Sequence, residues 1–194
     1  LGIISRSVQR DRRPTLEELD KLLAHFVDRR KKVPQAVPMH KVVVFALFST
    51  RRQAEITQIT WDDFEKKHKR VLVRDMKHPG EKIGNGTWVD VPDEAIQVIE
   101  SMPKTKPEIF PYSPDAITAN FTRACKLLGI EDLHFHDLRH EGISRLFEMG
   151  WNIPKVAMVS GHRSWVSLKR YTHIREAGDR FSDWDGLQNT IDDA

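Results

Sequence analysis

Between His136 and Tyr171 the sequence gathers a phenol, several imidazoles and a guanidinium in one short stretch. It reads His136-Asp137-Leu138-Arg139-His140, then Gly161-His162-Arg163-Ser164, then Arg170-Tyr171-Thr172-His173. His136 and Arg139 stand three apart, a spacing that shares one face of a helix. Tyr171 follows His162 by nine residues, room for a turn and a short helix. These types together suit attack on a phosphodiester by an activated tyrosine, with the phosphate charge held by fixed donors. A free phenol has a pKa of ~10, so near neutral pH it needs positive surroundings or a base. Arginine suits the non-bridging oxygens because it is permanently charged and donates two hydrogen bonds in one plane. The other tyrosine, Tyr112, lies in a loop between Pro111 and Pro114 and reads as a packing or surface residue.

Such residues need a scaffold, and the hydrophobic pattern supplies mostly helices. Thr15 and Glu18 form a capping box after Pro14, so a helix starts near Thr15 with Leu16, Leu19, Leu22, Leu23 and Phe26 on one face. Pro34 and Pro38 break it, and a second helix spans about 39–49. Residues 52–59 form a further helical piece, with Ile56 and Ile59 inward and Trp61 closing it. Residues 71–76 are valine-rich and read as a strand, and 87–91 alternate as the returning strand. His78-Pro79-Gly80 and Asn85-Gly86 between them are turn signals. A helix follows from Pro92 to about Met102. After a proline-rich passage comes another helix, capped by Ser113 and stopped by Gly129. The helix after His136 ends near Gly150, Asn152 caps a short one, and Ser164 opens the piece that presents Tyr171. A glycine inside a helix costs ~1 kcal/mol relative to alanine, so Gly142 marks a close approach.

His-x-x-Arg, Gly-His and a tyrosine nine residues past that histidine resemble the tyrosine recombinase family of phage integrases and related site-specific recombinases. That family also carries an upstream arginine in Arg-x-x-Glu and a lysine on a β-hairpin. This sequence offers Arg52-Gln53-Ala54-Glu55 and Lys77, in the right order, and the resemblance runs from about Arg12 to Arg175. It implies a mainly α fold with a small three-stranded antiparallel β-sheet. It implies Tyr171 as nucleophile, Arg52 and Arg139 as the phosphate clamp, and Glu55 as the residue orienting Arg52. His136 would donate to the phosphate or help take the phenol proton, and His162 would donate to a non-bridging oxygen. Lys77 would protonate the 5′-oxygen leaving group, with Lys82 on the same hairpin as the alternative. His134, His140 and His173 read as structural. The chain departs from the family in having Ser49-Thr50-Arg51 where Thr-Gly-Leu is usual, which leaves two adjacent arginines, and only the spacing to Glu55 selects Arg52. It departs again at Glu141-Gly142, where a small hydroxyl residue usually follows His140.

The same resemblance implies DNA integration and recombination, as in a prophage integrase, through a covalent 3′-phosphotyrosine intermediate and without cofactor or ATP. The partners implied are double-stranded DNA attachment or recombination sites and three further copies of the chain, a homo-tetramer on DNA. No metal is expected: His136 and His140 could form half of a zinc pair, but no Glu lies between them as in His-Glu-x-x-His and no third ligand is evident. Two other readings stand beside this one, a DNA-binding protein that has lost catalysis and a type IB topoisomerase.

Composition sets the outer limits. The 194 residues suffice for one full core, and 39% hydrophobic with 30% charged residues exclude a disordered chain. The chain has no apolar run of the ~20 residues that span a membrane. The single cysteine, Cys125, excludes an internal disulfide and suits a reducing cytosol, and the resemblance implies a bacterial host cell with the protein on the nucleoid. Net charge is only +3. Basic residues crowd Arg6 to Arg13, Arg29 to Lys32 and Lys66 to Arg70, whereas acids dominate after Arg175, a division that suits DNA binding with a tail docked elsewhere. Such runs also occur as plain solvated surface. The expected organisation is a linker arm (1–13), a catalytic domain (14–175) and an acidic C-terminal tail (176–194) whose apolar residues from Phe181 to Ile191 keep helical spacing and pack on this body or a neighbour's. The opening at Leu1 suggests a piece of a longer protein with a separate DNA-binding part.

Overall fold

A computed structural model describes residues 9–74 and 86–193. Lys77, Lys82 and most of the expected turn between the two strands lie outside the described residues. Helix α1 (Leu16–Lys32) begins at the capping box. The Thr15 hydroxyl accepts from the Glu18 amide at 3.0 Å, and the Glu18 carboxylate accepts from the Thr15 amide at 2.9 Å. Two amides that a helix end leaves unpaired are thereby satisfied. Helix α2 (Met39–Ser49) is buried on every side and packs against α1 and the later helices, as a helix apolar all round must. Helix α3 (Gln53–Ile56) is shorter than the expected 52–59. The chain leaves it to pair with residues 107–109: the Ile109 amide donates to the Ile59 carbonyl at 3.1 Å and the Trp61 amide to the Pro107 carbonyl at 3.0 Å.

The sheet has three antiparallel strands in chain order, β1 (Phe64–Glu65), β2 (Arg70–Arg74) and β3 (Gly86–Asp90), with Val71 opposite Val89 and Arg74 opposite Gly86. Helices α4 (Asp93–Glu100), α5 (Pro114–Leu127), α6 (Asp137–Glu148) and α7 (Ile153–Ser160) follow, then a 3₁₀ segment (Trp165–Tyr171) and α8 (Gly186–Asp192). The expected caps are present: Ser113 accepts from the Ala116 amide at 3.1 Å and Asn152 from the Lys155 amide at 3.0 Å. The large core surrounds α2. A second, smaller core joins Ile143, Leu146, Phe147, Val156, Val159, Leu168 and Tyr171, and it seats the tyrosine-bearing segment. No helix among the described residues is long and apolar enough to cross a membrane.

Helix α6 touches α2 at Gly142, as its mid-helix glycine suggested. A Cβ there would lie 2.1 Å from the Leu47 carbonyl oxygen, a backbone atom with nowhere to go. Gly142→Ala should therefore destabilise the fold by about 1–3 kcal/mol, the range for overpacked cores, although alanine is the better helix former. Urea unfolding measures this, and an unchanged midpoint would contradict the contact.

Glu141, the other departure at this point, is fully buried and joins both ends of the chain. It accepts from Arg13 at 2.6 and 3.0 Å and from Arg180 at 2.7 Å. The described arginines of the arm, Arg10, Arg12 and Arg13, are all paired with acids of the same chain. Arg10 pairs with Asp132 and Asp137, and Arg12 pairs with Glu18. The tail packs on its own body in the single chain. Phe181 lies edge-on to Phe48 at 5.7 Å, Trp184 Nε1 donates to Asp20 at 2.7 Å, and α8 rests on α1, α2 and α4. Only Gly186–Asp192 is helical there, because the Asp179 carboxylate caps the Phe181 amide at 3.0 Å and holds the preceding residues in turns.

Candidate active site

Three elements bring the expected cations together. Arg52 stands at the N-terminus of α3, and Glu55 one turn later accepts from its guanidinium at 3.1 Å and from its amide at 3.1 Å. Arg139 comes from the first turn of α6 and is buried. Its Nη1 donates to the Thr50 carbonyl at 2.5 Å and the Ser160 carbonyl at 3.1 Å, and Nη2 contacts His162 Nδ1 at 3.4 Å. These bonds do not use its Nε–H or its second Nη2–H. His162 follows Gly161, whose φ of +77° ends α7 in a conformation that suits glycine. A cleft of about 280 Å³ opens here, lined by Arg51, Arg52, Glu55, Arg74, His162 and Arg163 among others. Arg139 lies behind that lining rather than in it. Arg74 ends the described part of β2, and Lys77 follows shortly along the chain, outside the described residues.

The electrostatics are those of a site short of negative charge. Burial pushes the Arg139 guanidinium down to about 9, and Arg52 and Arg51 push the same way. It remains cationic at neutral pH. Burial opposes ionisation of Glu55, yet Arg51 and Arg139 hold its carboxyl below the usual range. Burial, then Arg139, Arg52 and Arg51, lower the His162 imidazole to about 4, so it is neutral. An arginine can only donate, so the His162 Nδ1 facing Arg139 is the acceptor. The same Nδ1 lies 2.7 Å from the Ser160 hydroxyl. His162 is thereby left with Nε2–H as its donor, the form suited to a phosphate oxygen.

The two adjacent arginines have different fates. Arg52 is 39% exposed at its side chain and faces the cleft. Arg51 is buried, pairs with Glu55 at 3.1 Å and donates to the Val159 carbonyl, tying α3 to the end of α7. Sequence reasoning did not find Arg51 or Ser160 as supports of the site. The divergence begins at Thr50, which ends α2 with φ +60° where the family usually has glycine. A β-branched residue is strained there, and the buried Thr50 hydroxyl has no hydrogen-bond partner among the described residues. Thr50→Gly keeps the carbonyl that holds Arg139. Relief of ~1–2 kcal/mol of left-handed strain outweighs the lost methyl packing, so the variant should gain about 1 kcal/mol in chemical denaturation.

Tyr171 ends the 3₁₀ segment and is buried in the smaller core. Its ring stacks on Phe147 (5.9 Å between centroids, 9° between planes), and its hydroxyl lies 2.5 Å from His140 Nδ1. Burial raises its pKa, against the pull of Arg170 and Arg139. His136 sits exposed at the N-terminus of α6, its ring edge-on to that of His140 with centroids 4.7 Å apart. His140, expected to be structural, is thus the side chain in contact with the phenol oxygen. The only sequence signal was its position one turn after His136. Among the described residues, no group of three or more His, Cys, Asp or Glu is placed to hold a metal ion.

Comparison with known proteins gives one consistent picture. Residues 13–177 match the model of the Phage integrase family. The shufflon-specific DNA recombinase of Escherichia coli is 38% identical over 168 residues, which cover 86% of this chain and 41% of that protein. The integrase of Salmonella phage P22 is 29% identical over 157 residues, covering 71% of this chain and 39% of the other. The chain therefore spans about two-fifths of the length of these relatives. XerA recombinase superposes with a TM-score of 0.61 at 16% identity, over 93% of this chain and 64% of that one. A lambda integrase fragment, solved as a dimer bound to a COC′ core site, gives 0.58 at 17% identity, over 84% of this chain and 63% of that one. At such identities the likeness is one of fold: mainly helical, with the three-stranded antiparallel sheet.

Proposed function

The chain belongs to the phage integrase family, and from that premise we propose that it is the catalytic domain of a site-specific DNA recombinase. Tyr171 Oη attacks a phosphorus of duplex DNA, the bond to the 5′-oxygen breaks, and a 3′-phosphotyrosine forms. Arg52 and Arg139 hold the non-bridging oxygens, Arg139 through the N–H groups its protein contacts leave unused. His162 donates through Nε2–H and His136 donates to the same phosphate. Glu55 fixes Arg52. Lys77 supplies the proton to the departing 5′-oxygen. The covalent link conserves the phosphodiester energy, so a 5′-hydroxyl from a second strand reseals the backbone without ATP. Residues 14–175 are the catalytic unit. The working assembly is a tetramer on paired sites, in the cytoplasm on the nucleoid.

The observation that carries this reading is the convergence of three guanidinium groups on one carboxylate beside a neutral histidine donor, with the buried Tyr171 phenol in electrostatic reach of one of them, Arg139. That surplus of buried positive charge is stabilised by a bound phosphate diester. The test uses nicked duplexes with a randomised core, which trap the cleaved strand because the short product diffuses away. A covalent protein–DNA band, sequenced to give a preferred core, supports the reading. No band overturns it. Plasmid relaxation with no preferred core would favour topoisomerase activity instead.

A further inference from the structure

The reaction above leaves one proton unassigned, the one on the Tyr171 hydroxyl, and the residue in contact with that hydroxyl is His140. The 2.5 Å separation between Oη and Nδ1 is that of a strong hydrogen bond. Two neighbours hold the phenol ring. Phe147 stacks on its ring, and the Arg170 guanidinium sits 5.1 Å from the ring centroid. Arg170 is itself fixed, donating to the Arg10 carbonyl at 2.6 Å. The charged and titratable groups around His140 are His136, Asp137 and Arg139 on its own helix, and Arg170 and Tyr171 on the 3₁₀ segment. Burial lowers the His140 imidazole to about 4, and His136, Arg170 and Arg139 act in the same direction against Asp137. At neutral pH the ring is therefore uncharged, with one nitrogen free to accept.

We infer that His140 is the general base of this site, receiving the phenol proton on Nδ1 as Tyr171 attacks and returning it when the phosphotyrosine is resolved. The inference rests on Tyr171 being the nucleophile. In cleavage the Oη–P bond forms and the P–O5′ bond breaks. The electron pair left on O5′ takes a proton from Lys77, and the phenol proton passes to His140. In resealing the incoming 5′-hydroxyl gives its proton back to Lys77, the O5′–P bond forms, and the departing phenolate recovers its proton from His140. The surrounding cations explain the timing. Arg139 and Arg170 disfavour an imidazolium while the site is empty. A bound phosphate diester offsets that positive field, so the ring becomes basic where and when the proton must leave. His136 is exposed and lies edge-on to His140.

Two measurements on the full chain decide the matter. In ¹⁵N-histidine NMR of the free protein, His140 should be neutral near neutral pH with Nδ1 unprotonated and Nε2 protonated. A proton resident on Nδ1 would overturn the inference, because the phenol could not then donate to it. The second measurement uses His140→Gln, which can still hydrogen-bond the phenol but cannot take a proton. On a nicked duplex recovered from the randomised pool, it should bind with unchanged Kd and form adduct about 10²–10⁴-fold more slowly, the usual worth of a general base. Its rate should rise with pH toward the phenol pKa. Difluorotyrosine at position 171, a more acidic phenol, should restore most of the loss in the variant and change the parent little. A rate close to the parent's, or a loss that neither pH nor the acidic phenol relieves, leaves His140 a packing residue and overturns the inference alone. Absence of adduct from the parent overturns it together with the assignment of Tyr171.

Discussion

Tyr171→Phe should bind duplex DNA as tightly as the parent chain and form no covalent adduct. The substitution removes one oxygen and keeps the ring that stacks on Phe147 in the smaller core. The lost hydrogen bond to His140 is worth about 1 kcal/mol, too little to unfold a domain of this size. Binding is dominated by cation–phosphate contacts, which the change leaves alone. On the proposed function the chemistry, in contrast, loses its nucleophile, so adduct formation should fall to background on a denaturing gel. Tyr112→Phe is the control, since Tyr112 is the one other phenol in the chain and should form adduct normally. A band from Tyr171→Phe would place the nucleophile elsewhere and defeat the proposed function.

Arg139→Ala should slow cleavage by about 10³-fold or more, the scale for removing a fixed cation or donor from a developing phosphoryl or oxyanion charge. Burial with Arg51 and Arg52 nearby pushes this guanidinium down to about 9, and on the proposed function a bound phosphate would offset that. Lysine should not substitute. An ammonium keeps the charge, but it cannot span the Thr50 and Ser160 carbonyls and His162 from one rigid plane. A substrate with sulfur in place of the 5′-bridging oxygen separates charge from proton transfer. A thiolate leaves readily, with a thiol pKa of ~8.5 against ~16 for water or an alcohol, so the general acid becomes dispensable. Arg139→Ala should remain slow on both substrates. Lys77→Ala should be slow on ordinary DNA and nearly restored on the sulfur substrate. Rescue of Lys82→Ala in its place would move the acid to Lys82, and rescue of Arg139→Ala would refute its role in holding charge.

By itself the sequence determined the caps, the periodic faces and the chemistry available. Thr15 with Glu18, Ser113, Asn152 and Ser164 each act on amides two or three residues away, so they start their helices wherever those helices finally sit. Gly142 was legible for a similar reason: a residue poor for a helix, kept in one, reports a neighbour's approach, though not that the neighbour is the Leu47 carbonyl. Three matters were decided only by tertiary structure. Arg51 and Arg52 are alike in sequence, and after the left-handed turn at Thr50 one is buried and the other stands exposed at the cleft. The partners of Arg10 and Arg13 could not be read locally either, since both meet acids on α6, more than a hundred residues on. His140 showed locally only that it stands one turn after His136, and its contact with Tyr171 is made across the packing of α6, α7 and the 3₁₀ segment. Short-range patterns are fixed by hydrogen bonds and side-chain periods that close within a turn. Which charges neutralise one another, and which histidine meets the phenol, depend on how those finished elements fill the core.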